Sequence, residues 1–275
     1  MKHTTFLSII LFAAVNLYGQ QNQYKVLPWN QSTAYNSYLT RMMHQQYRER
    51  DADFTKATQS KVAVEQYISD TRKRYQNIAG SFSAKGNLNA QTVATQETEN
   101  LRIESIIFES VAGRFVTCNL YLPKKINGKI PAAIELCGHG INGKIPSRVA
   151  PLLALNGIAA LVIDPIGQGE RLQLIDNESN ALTRGATTEH TLLNTSLNLL
   201  GTSLAAQEFF DNSRAIDYLL TRSEIDADNL AVYGSSGGGT QTTYYVGLDP
   251  RVKVATICSF FSQRERTFEL QGASD

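Results

Sequence analysis

The sequence predicts an α/β protein with a mostly parallel sheet and helices on both faces. One observation is that short apolar runs, typical of buried strands, alternate with helical patterns from Ala132 to Ile257. Such alternation implies parallel strands joined by crossover helices. A second observation is a serine at the tip of a strand, turn and helix, within Gly234 to Gly238. Ligands of such sheets bind at the carboxyl ends of the strands, so we expect the functional site beside this serine.

Residues 1–19 are predicted to be a secretory signal peptide. Lys2 precedes an apolar run from Phe6 to Val15 that is too short to cross a membrane, and a cleavage point follows Gly19. Leu17 is larger than the residue that usually occupies its place before a cleavage site, so a frayed hydrophobic N-terminus stays open as the alternative. No cysteine follows the run to carry a lipid. The sequence predicts a secreted or periplasmic protein with no membrane anchor.

Residues 20–100 are predicted to be a helical N-terminal extension that packs against a main domain at residues 101–275. The extension is polar overall, but apolar side chains recur at helical spacing in two stretches. These side chains are Tyr35, Leu39, Met42, Met43 and Tyr47 in the first stretch, and Val64, Tyr67, Ile68, Tyr75 and Ile78 in the second.

The main domain is predicted to open with an antiparallel hairpin. Its strands are Ile103 to Phe108 and Phe115 to Leu122, joined across Ala112-Gly113. Further strands are predicted at 132–137, 158–163, 230–233 and 252–257, and helices at 147–155, 204–221 and 241–247. The segment 172–202 is an insertion in which we expect substrate specificity to lie, and His190 within it is a candidate lid or substrate-facing residue.

Composition and charge argue against a nucleic-acid partner. The 275-residue chain has 42% hydrophobic residues and a net charge of +1, and it contains no basic run or RNP-like aromatic motif. We therefore expect no nucleic-acid partner.

Cys118, Cys137 and Cys258 lie in apolar runs, which predicts buried cysteines rather than disulfides or metal ligands. The sequence predicts no metal site and no cofactor, and it leaves the oligomeric state undefined.

Ser236 is the candidate nucleophile. The five residues from Gly234 to Gly238 fit the pattern G-x-S-x-G, in which small neighbours let the chain turn sharply and hold the serine hydroxyl clear of the sheet. The pattern also occurs by chance, so the structures predicted on either side of the serine decide whether it marks a nucleophile. Leu230 to Tyr233 is an apolar strand, and Gln241 to Gly247 can continue a helix. This is the context that a nucleophile elbow requires.

A second glycine cluster, Gly138 to Gly143, first invites a dinucleotide-binding interpretation. It fits G-x-G-x-x-G after a strand, and Asp164 follows about 20 residues later, where such sites carry an acidic residue. That site requires a helix that begins at the glycines, whereas Lys144-Ile145-Pro146 delays the helix to Ser147. The geometry disfavours a dinucleotide, and the isoleucine after Lys144 leaves a P-loop without its magnesium-binding hydroxyl.

In a serine hydrolase the same cluster has another use. A glycine-flanked turn after a strand exposes backbone N–H groups to the oxyanion that forms when a serine attacks a carbonyl. Gly140 or Ile141 would supply one donor, and Gly237 would supply the other. His139 would be a positioning residue rather than the base, because it precedes Ser236 along the chain.

The main domain contains five motif blocks in a set order. They are Ile106-Ile107-Phe108-Glu109-Ser110, Asn119-Leu120-Tyr121-Leu122-Pro123, Cys137-Gly138-His139-Gly140, Asp164-Pro165-Ile166-Gly167-Gln168-Gly169-Glu170-Arg171, and Gly234-Ser235-Ser236-Gly237-Gly238-Gly239-Thr240-Gln241-Thr242. In this order they resemble the α/β-hydrolase superfamily, and within it exported bacterial acetyl-xylan-esterase-like and dienelactone-hydrolase-like proteins. The resemblance implies an esterase that acts on acylated sugars or similar small esters through a serine, acid and histidine triad.

The sequence departs from that pattern after the elbow. Triads of this superfamily run serine, acid, histidine along the chain, and no histidine follows His190. Asp249 lies too close behind the elbow helix to be the acid, and Asp275 is the last residue. We expect the domain to be C-terminally incomplete and the 275-residue chain to be inactive. Val252 to Ile257 would then be an uncovered strand, which predicts insoluble or oligomeric material.

These observations predict a serine hydrolase that removes acetyl groups from acylated sugars or similar small esters, with a carbohydrate or small-molecule ester as its substrate. Three alternatives stay open. They are a prolyl-peptidase-like serine hydrolase, a non-catalytic hydrolase-like binding protein and a dinucleotide-binding oxidoreductase.

Overall fold

The computed structural model describes residues 33–79, 85–262 and 266–267. The predicted signal peptide at residues 1–19 and the closing segment Gln271 to Asp275 lie outside these residues. The chain divides into two units, residues 1–56 with 264–272 and residues 57–263 with 273–275. The second unit contains the sheet and the serine elbow.

Two helices precede the sheet along the chain, and a strand follows them. Helix α1 spans Ala34–Ala57 and helix α2 spans Lys61–Ala79, which confirms both helical stretches. The prediction of a helical extension to residue 100 is wrong at its end, because Gln91–Glu97 forms strand β1. Every residue of β1 is exposed, so no alternation of apolar and polar side chains marked it. Its conformation is fixed by antiparallel pairing with the next strand.

The described residues form a seven-stranded sheet. The strands after β1 are β2 (Leu101–Val111), β3 (Arg114–Pro123), β4 (Ile130–Leu136), β5 (Ala159–Ile163), β6 (Ile225–Ser235) and β7 (Val254–Cys258). Their order across the sheet is β1-β2-β3-β5-β4-β6-β7. Strands β4 to β7 run parallel to one another, whereas β1, β2 and β3 are antiparallel to their neighbours. The predicted hairpin and the mostly parallel sheet are confirmed.

Four helices of the described chain lie between or after these strands. They are α3 (Ala150–Leu155), α4 (Ala186–Leu199), α5 (Leu204–Leu219) and α6 (Gly237–Leu248). Helix α4 was not predicted and lies inside the 172–202 insertion. Its sequence is rich in Thr and Asn and two of its leucines, Leu192 and Leu199, are exposed, so it has no apolar stripe to reveal it. Across the described ranges, no helix has the length and apolar character that crossing a membrane requires.

Apolar side chains are buried on both faces of the sheet. Successive residues of a strand point to opposite faces, and Leu161 of β5 belongs to the larger core whereas Val162 belongs to the smaller one. In the larger core Phe108 stacks on Tyr218 of α5, with ring centroids 6.0 Å apart. In the smaller core Ala154 of α3 packs with Val162. Helices therefore cover both faces, as predicted.

Strand β7 is the last strand of the described sheet and pairs with β6 on one side only. The prediction that Cys258 is buried is wrong, because this one-sided strand leaves it exposed. Cys118 and Cys137 are buried, as predicted. Val254 is 62% exposed. The predicted insolubility stays a prediction.

The core assignment is testable by truncating one aromatic side chain. Phe108 is 1% exposed, and Phe108→Ala should lower the free energy of unfolding by about 3–5 kcal/mol because it leaves a cavity beneath α5. Phe115→Ala is the matched control. Phe115 lies on the paired strand opposite Glu109 but is 53% exposed, and its loss should cost about 0.5 kcal/mol or less. Urea unfolding measures both variants, and equal losses would contradict this placement of the core.

Candidate active site

Ser236 lies between the last residue of β6 and the first residue of α6. Its backbone has φ 56° and ψ −122°, a conformation that residues other than glycine rarely adopt and that costs on the order of 1–3 kcal/mol. Hydrogen bonds hold the backbone there. The Ser236 N–H donates to the Cys258 carbonyl at 3.0 Å, and the Ser236 carbonyl accepts from the Thr240 N–H at 3.0 Å. A strained serine between a strand and a helix is the geometry of a nucleophile elbow.

The elbow closes because glycines lie two residues before and two residues after the serine. A Cβ built on Gly238 would lie 1.9 Å from the carbonyl oxygen of Leu136 at the end of β4. A Cβ built on Gly234 would lie 2.3 Å from the carbonyl oxygen of Gly238. Neither position can accommodate a side chain in so closely packed a backbone. Both glycines of the G-x-S-x-G pattern are therefore required by the packing of strand against helix.

His139 follows β4 and packs on the start of α6. A Cβ built on Gly237 would lie 2.5 Å from Cε1 and 2.6 Å from Nδ1 of the His139 ring. His190 approaches His139 from α4, with ring centroids 5.0 Å apart and ring planes at 68°. The fold thus brings His139, His190 and Gly237 together beside Ser236, although the four residues come from three separate segments of the chain.

The loop after β4 is held by a residue that sequence reasoning missed. Gln168 is fully buried, and its Nε2 donates to the carbonyls of Gly138 and Gly140 at 2.7 Å each. The Gly140 N–H itself donates to the Gly138 carbonyl at 2.6 Å. The Gly140 N–H thus already has an acceptor within the loop, while the choice of Gly140 or Ile141 as oxyanion donor stays a prediction. The sequence signal for Gln168 is its place between two glycines just after β5.

The same loop does not have the geometry of a dinucleotide site. Helix α3 begins only at Ala150, well after the glycines. Asp164 is fully buried, and it accepts hydrogen bonds from the Lys144 N–H and the Thr117 hydroxyl, both at 2.7 Å. A carboxylate that is committed to protein donors cannot also bind a ribose hydroxyl. These contacts argue against the oxidoreductase interpretation.

Charge pairs join the loops that follow β4 and β5. The Lys144 ammonium pairs with the carboxylates of Asp164 and Glu170. Burial by itself lowers the pKa of Lys144, but hydrogen bonds and charge from the two carboxylates outweigh burial, so the pKa is raised. Arg171 donates to the Asp164 carbonyl at 2.9 Å and to the Asp211 carboxylate at 2.5 Å. These contacts therefore tie the two loops to each other, and Arg171 ties the second loop to α5.

A cavity of about 420 Å³ lies beside the elbow. Its lining includes His139, Gly237 and side chains from α4, α5 and α6. The polar residues from these helices are Thr187, His190, Thr191, Asn194, Glu208, Thr240, Gln241 and Tyr244. The 172–202 insertion thus contributes part of the wall, while contact between His190 and substrate stays a prediction.

The role of Gln168 can be tested by its removal. Gln168→Ala deletes the donor to two loop carbonyls in a buried environment, and it should lower the free energy of unfolding by about 1–3 kcal/mol. Gln173→Ala is the control, because Gln173 is exposed and donates to a single carbonyl, that of Arg171, at 2.6 Å. Its loss should cost about 0.5 kcal/mol or less. Equal midpoints for the two variants in urea would show that Gln168 does not hold the loop.

Comparison with known proteins shows which family the sequence matches. A family model described as acetyl xylan esterase (AXE1) matches residues 79–275. The curated protein named "Putative hydrolase YtaP", from Bacillus subtilis (strain 168), is 24% identical over 206 residues, which are 70% of this chain and 64% of that protein.

Solved structures are similar in fold. A putative acetyl xylan esterase from Bacteroides fragilis NCTC 9343 has a TM-score of 0.64 at 20% identity, covering 75% of this chain and 56% of that one. Acetyl Xylan Esterase 1 from Thermoanaerobacterium sp. JW/SL YS485 has a TM-score of 0.54 at 19% identity, covering 74% of this chain and 62% of that one. The chain has the α/β-hydrolase fold, and it spans less than two thirds of the length of these relatives.

Proposed function

Because the chain belongs to the acetyl xylan esterase (AXE1) family, we propose that it is a serine esterase that removes acetyl groups from acylated sugars or similar small esters. Ser236 is the nucleophile in this proposal. The observation that carries it is the strained backbone of Ser236 at the tip of the elbow, since such strain persists only where the surrounding structure imposes it and is concentrated at active sites.

The proposed chemistry is acyl transfer through the serine. The Ser236 oxygen attacks the ester carbonyl carbon while its proton passes to a general base, and negative charge develops on the carbonyl oxygen. Collapse of this intermediate breaks the ester C–O bond and releases the protonated alcohol, and water then attacks the acyl-serine to release acetate and restore the Ser236 hydroxyl. The N–H groups of Gly237 and Ile141 donate to the negatively charged oxygen of the intermediate, and one such donor typically contributes on the order of 10²–10³ in rate. Helix α6 begins at Gly237, and the positive end of its dipole favours the same anion. His139 is a positioning residue that orders the loop beside the serine.

The polar side chains that line part of the cavity beside the elbow support a substrate that carries hydroxyl groups, as a sugar ester does. Hydrolysis through a serine requires no metal or cofactor. Export from the cell is proposed from the charge and apolar pattern of residues 1–19, and it fits a substrate that lies outside the cell.

The substrate is tested on the longest form of the protein that its coding sequence encodes. That form should release acetate from acetylated xylan and hydrolyse p-nitrophenyl acetate faster than p-nitrophenyl octanoate. Ser236→Ala should abolish both activities, because it removes the nucleophile. A preference for the octanoyl ester, or cleavage of prolyl peptides, would contradict the proposal and favour a lipase-like or a prolyl-peptidase-like enzyme.

The 275-residue chain by itself should hydrolyse p-nitrophenyl acetate no faster than its Ser236→Ala variant. The Ser236 side chain forms no capping hydrogen bond with the first turn of α6, and every histidine of the sequence precedes the serine, at position 190 or earlier. Loss of the base of a serine triad costs on the order of 10⁴ to 10⁶ in rate. Turnover that is abolished by His139→Gln or His190→Gln would contradict this prediction. Inactivity of the longest form as well would favour the non-catalytic binding protein.

A further inference from the structure

His190 is held by groups that the proposed reaction does not use. Its Nε2 lies 2.7 Å from the carbonyl oxygen of Ile166. Because a carbonyl oxygen only accepts hydrogen bonds, Nε2 must carry the proton. Ile166 begins a tight turn in which the Gly167 N–H donates to the Arg171 carbonyl at 2.8 Å. The His190 ring is therefore anchored to a fixed part of the loop after β5.

Glu208 of α5 lies next to the same nitrogen atom. Its Oε1 is 4.0 Å from Nε2 of His190, and its side chain is 10% exposed. Within the described part of the chain this oxygen has no hydrogen-bond partner. A buried carboxyl with an oxygen that lacks a hydrogen-bond partner is expected to favour its neutral form, because burial disfavours the charged form.

We propose that His190 is a positioning residue, which fixes the His139 ring against Gly237 beside the nucleophile. Ionisation of Glu208 displaces the His190 ring and so releases the His139 ring from this position. The ring contact between His190 and His139 and the packing of His139 on Gly237 form a continuous path from α4 to the elbow. The effect of these contacts on catalysis rests on the proposed esterase function, whereas the contacts between His190, His139 and Gly237 do not.

The pH at which the hold is released follows from the surroundings of Glu208. Burial raises its pKa to about 8, while the charge of Arg171 opposes the rise and that of Asp211 adds to it. Three other carboxylates lie near this turn: Asp164 and Glu170 pair with Lys144, and Glu189 of α4 accepts from the Gln173 N–H at 2.7 Å. Below about pH 8 Glu208 is neutral, and the Ile166 carbonyl accepts the hydrogen bond from Nε2. Above that pH the carboxylate competes for the proton and draws the ring away from Ile166.

A histidine-selective NMR titration of the full chain tests this coupling without any ester present. The sequence has four histidines, so their ring signals can be assigned by substitution. His190 should be protonated at Nε2, and the signals of His190 and His139 should share a step with a midpoint near pH 8. In Glu208→Gln, which keeps the shape of the side chain but cannot ionise, both signals should lose that step. In His190→Gln the signals of His139 should shift.

Thr188→Ala is the matched control, because Thr188 lies on α4 close to His190 and is exposed. It should keep the step in both signals. A step that survives in Glu208→Gln, or His139 signals that do not move in His190→Gln, would overturn the proposal. If His190→Gln fails to fold, the titration of Glu208→Gln decides alone. Absence of esterase activity would overturn the proposed function and leave the outcome of the titration unchanged.

Discussion

The close approach of α6 to the end of β4 is the constraint on which the site depends. Because a Cβ on Gly238 would lie 1.9 Å from the Leu136 carbonyl oxygen, only a glycine permits this approach. The chain must then turn within one residue between β6 and α6. Ser236 makes this turn by adopting an unfavourable backbone conformation. The same approach brings the N-terminus of α6 next to the loop after β4. Ser236, the start of α6 and the loop after β4 thus meet at one edge of the sheet.

Polar contacts fix that loop to the loop after β5. A surface loop rich in glycine would be mobile by itself, but Gln168 binds two of its carbonyls, and Lys144 ties its end to Asp164 and Glu170. Donors that are held in place before the reaction need no reorganisation when charge develops, which is the physical basis of oxyanion stabilisation.

Sequence reasoning predicted the features that residues adjacent in the chain determine. The elbow around Ser236 was predictable because strand, turn and helix patterns follow one another directly, and the hairpin β2-β3 because its strands are adjacent in the chain. Strand β1 and helix α4 were missed, because neither carries an apolar periodicity. Gln168 was missed for another reason. Its partners lie 28 and 30 residues away along the chain, and only the fold brings them together. The exposure of Cys258 likewise depends on the position of β7 in the sheet, which its apolar sequence does not report.

A crystal structure of the longest encoded form after reaction with a fluorophosphonate tests most directly whether the elbow and the β4 loop form one catalytic site. We expect the phosphonyl group on the Oγ of Ser236, with its oxygen about 2.7–3.1 Å from the backbone nitrogens of Gly237 and Ile141. An adduct on another residue, or a phosphonyl oxygen that points away from both nitrogens, would contradict the assignment of this edge of the sheet as the active site.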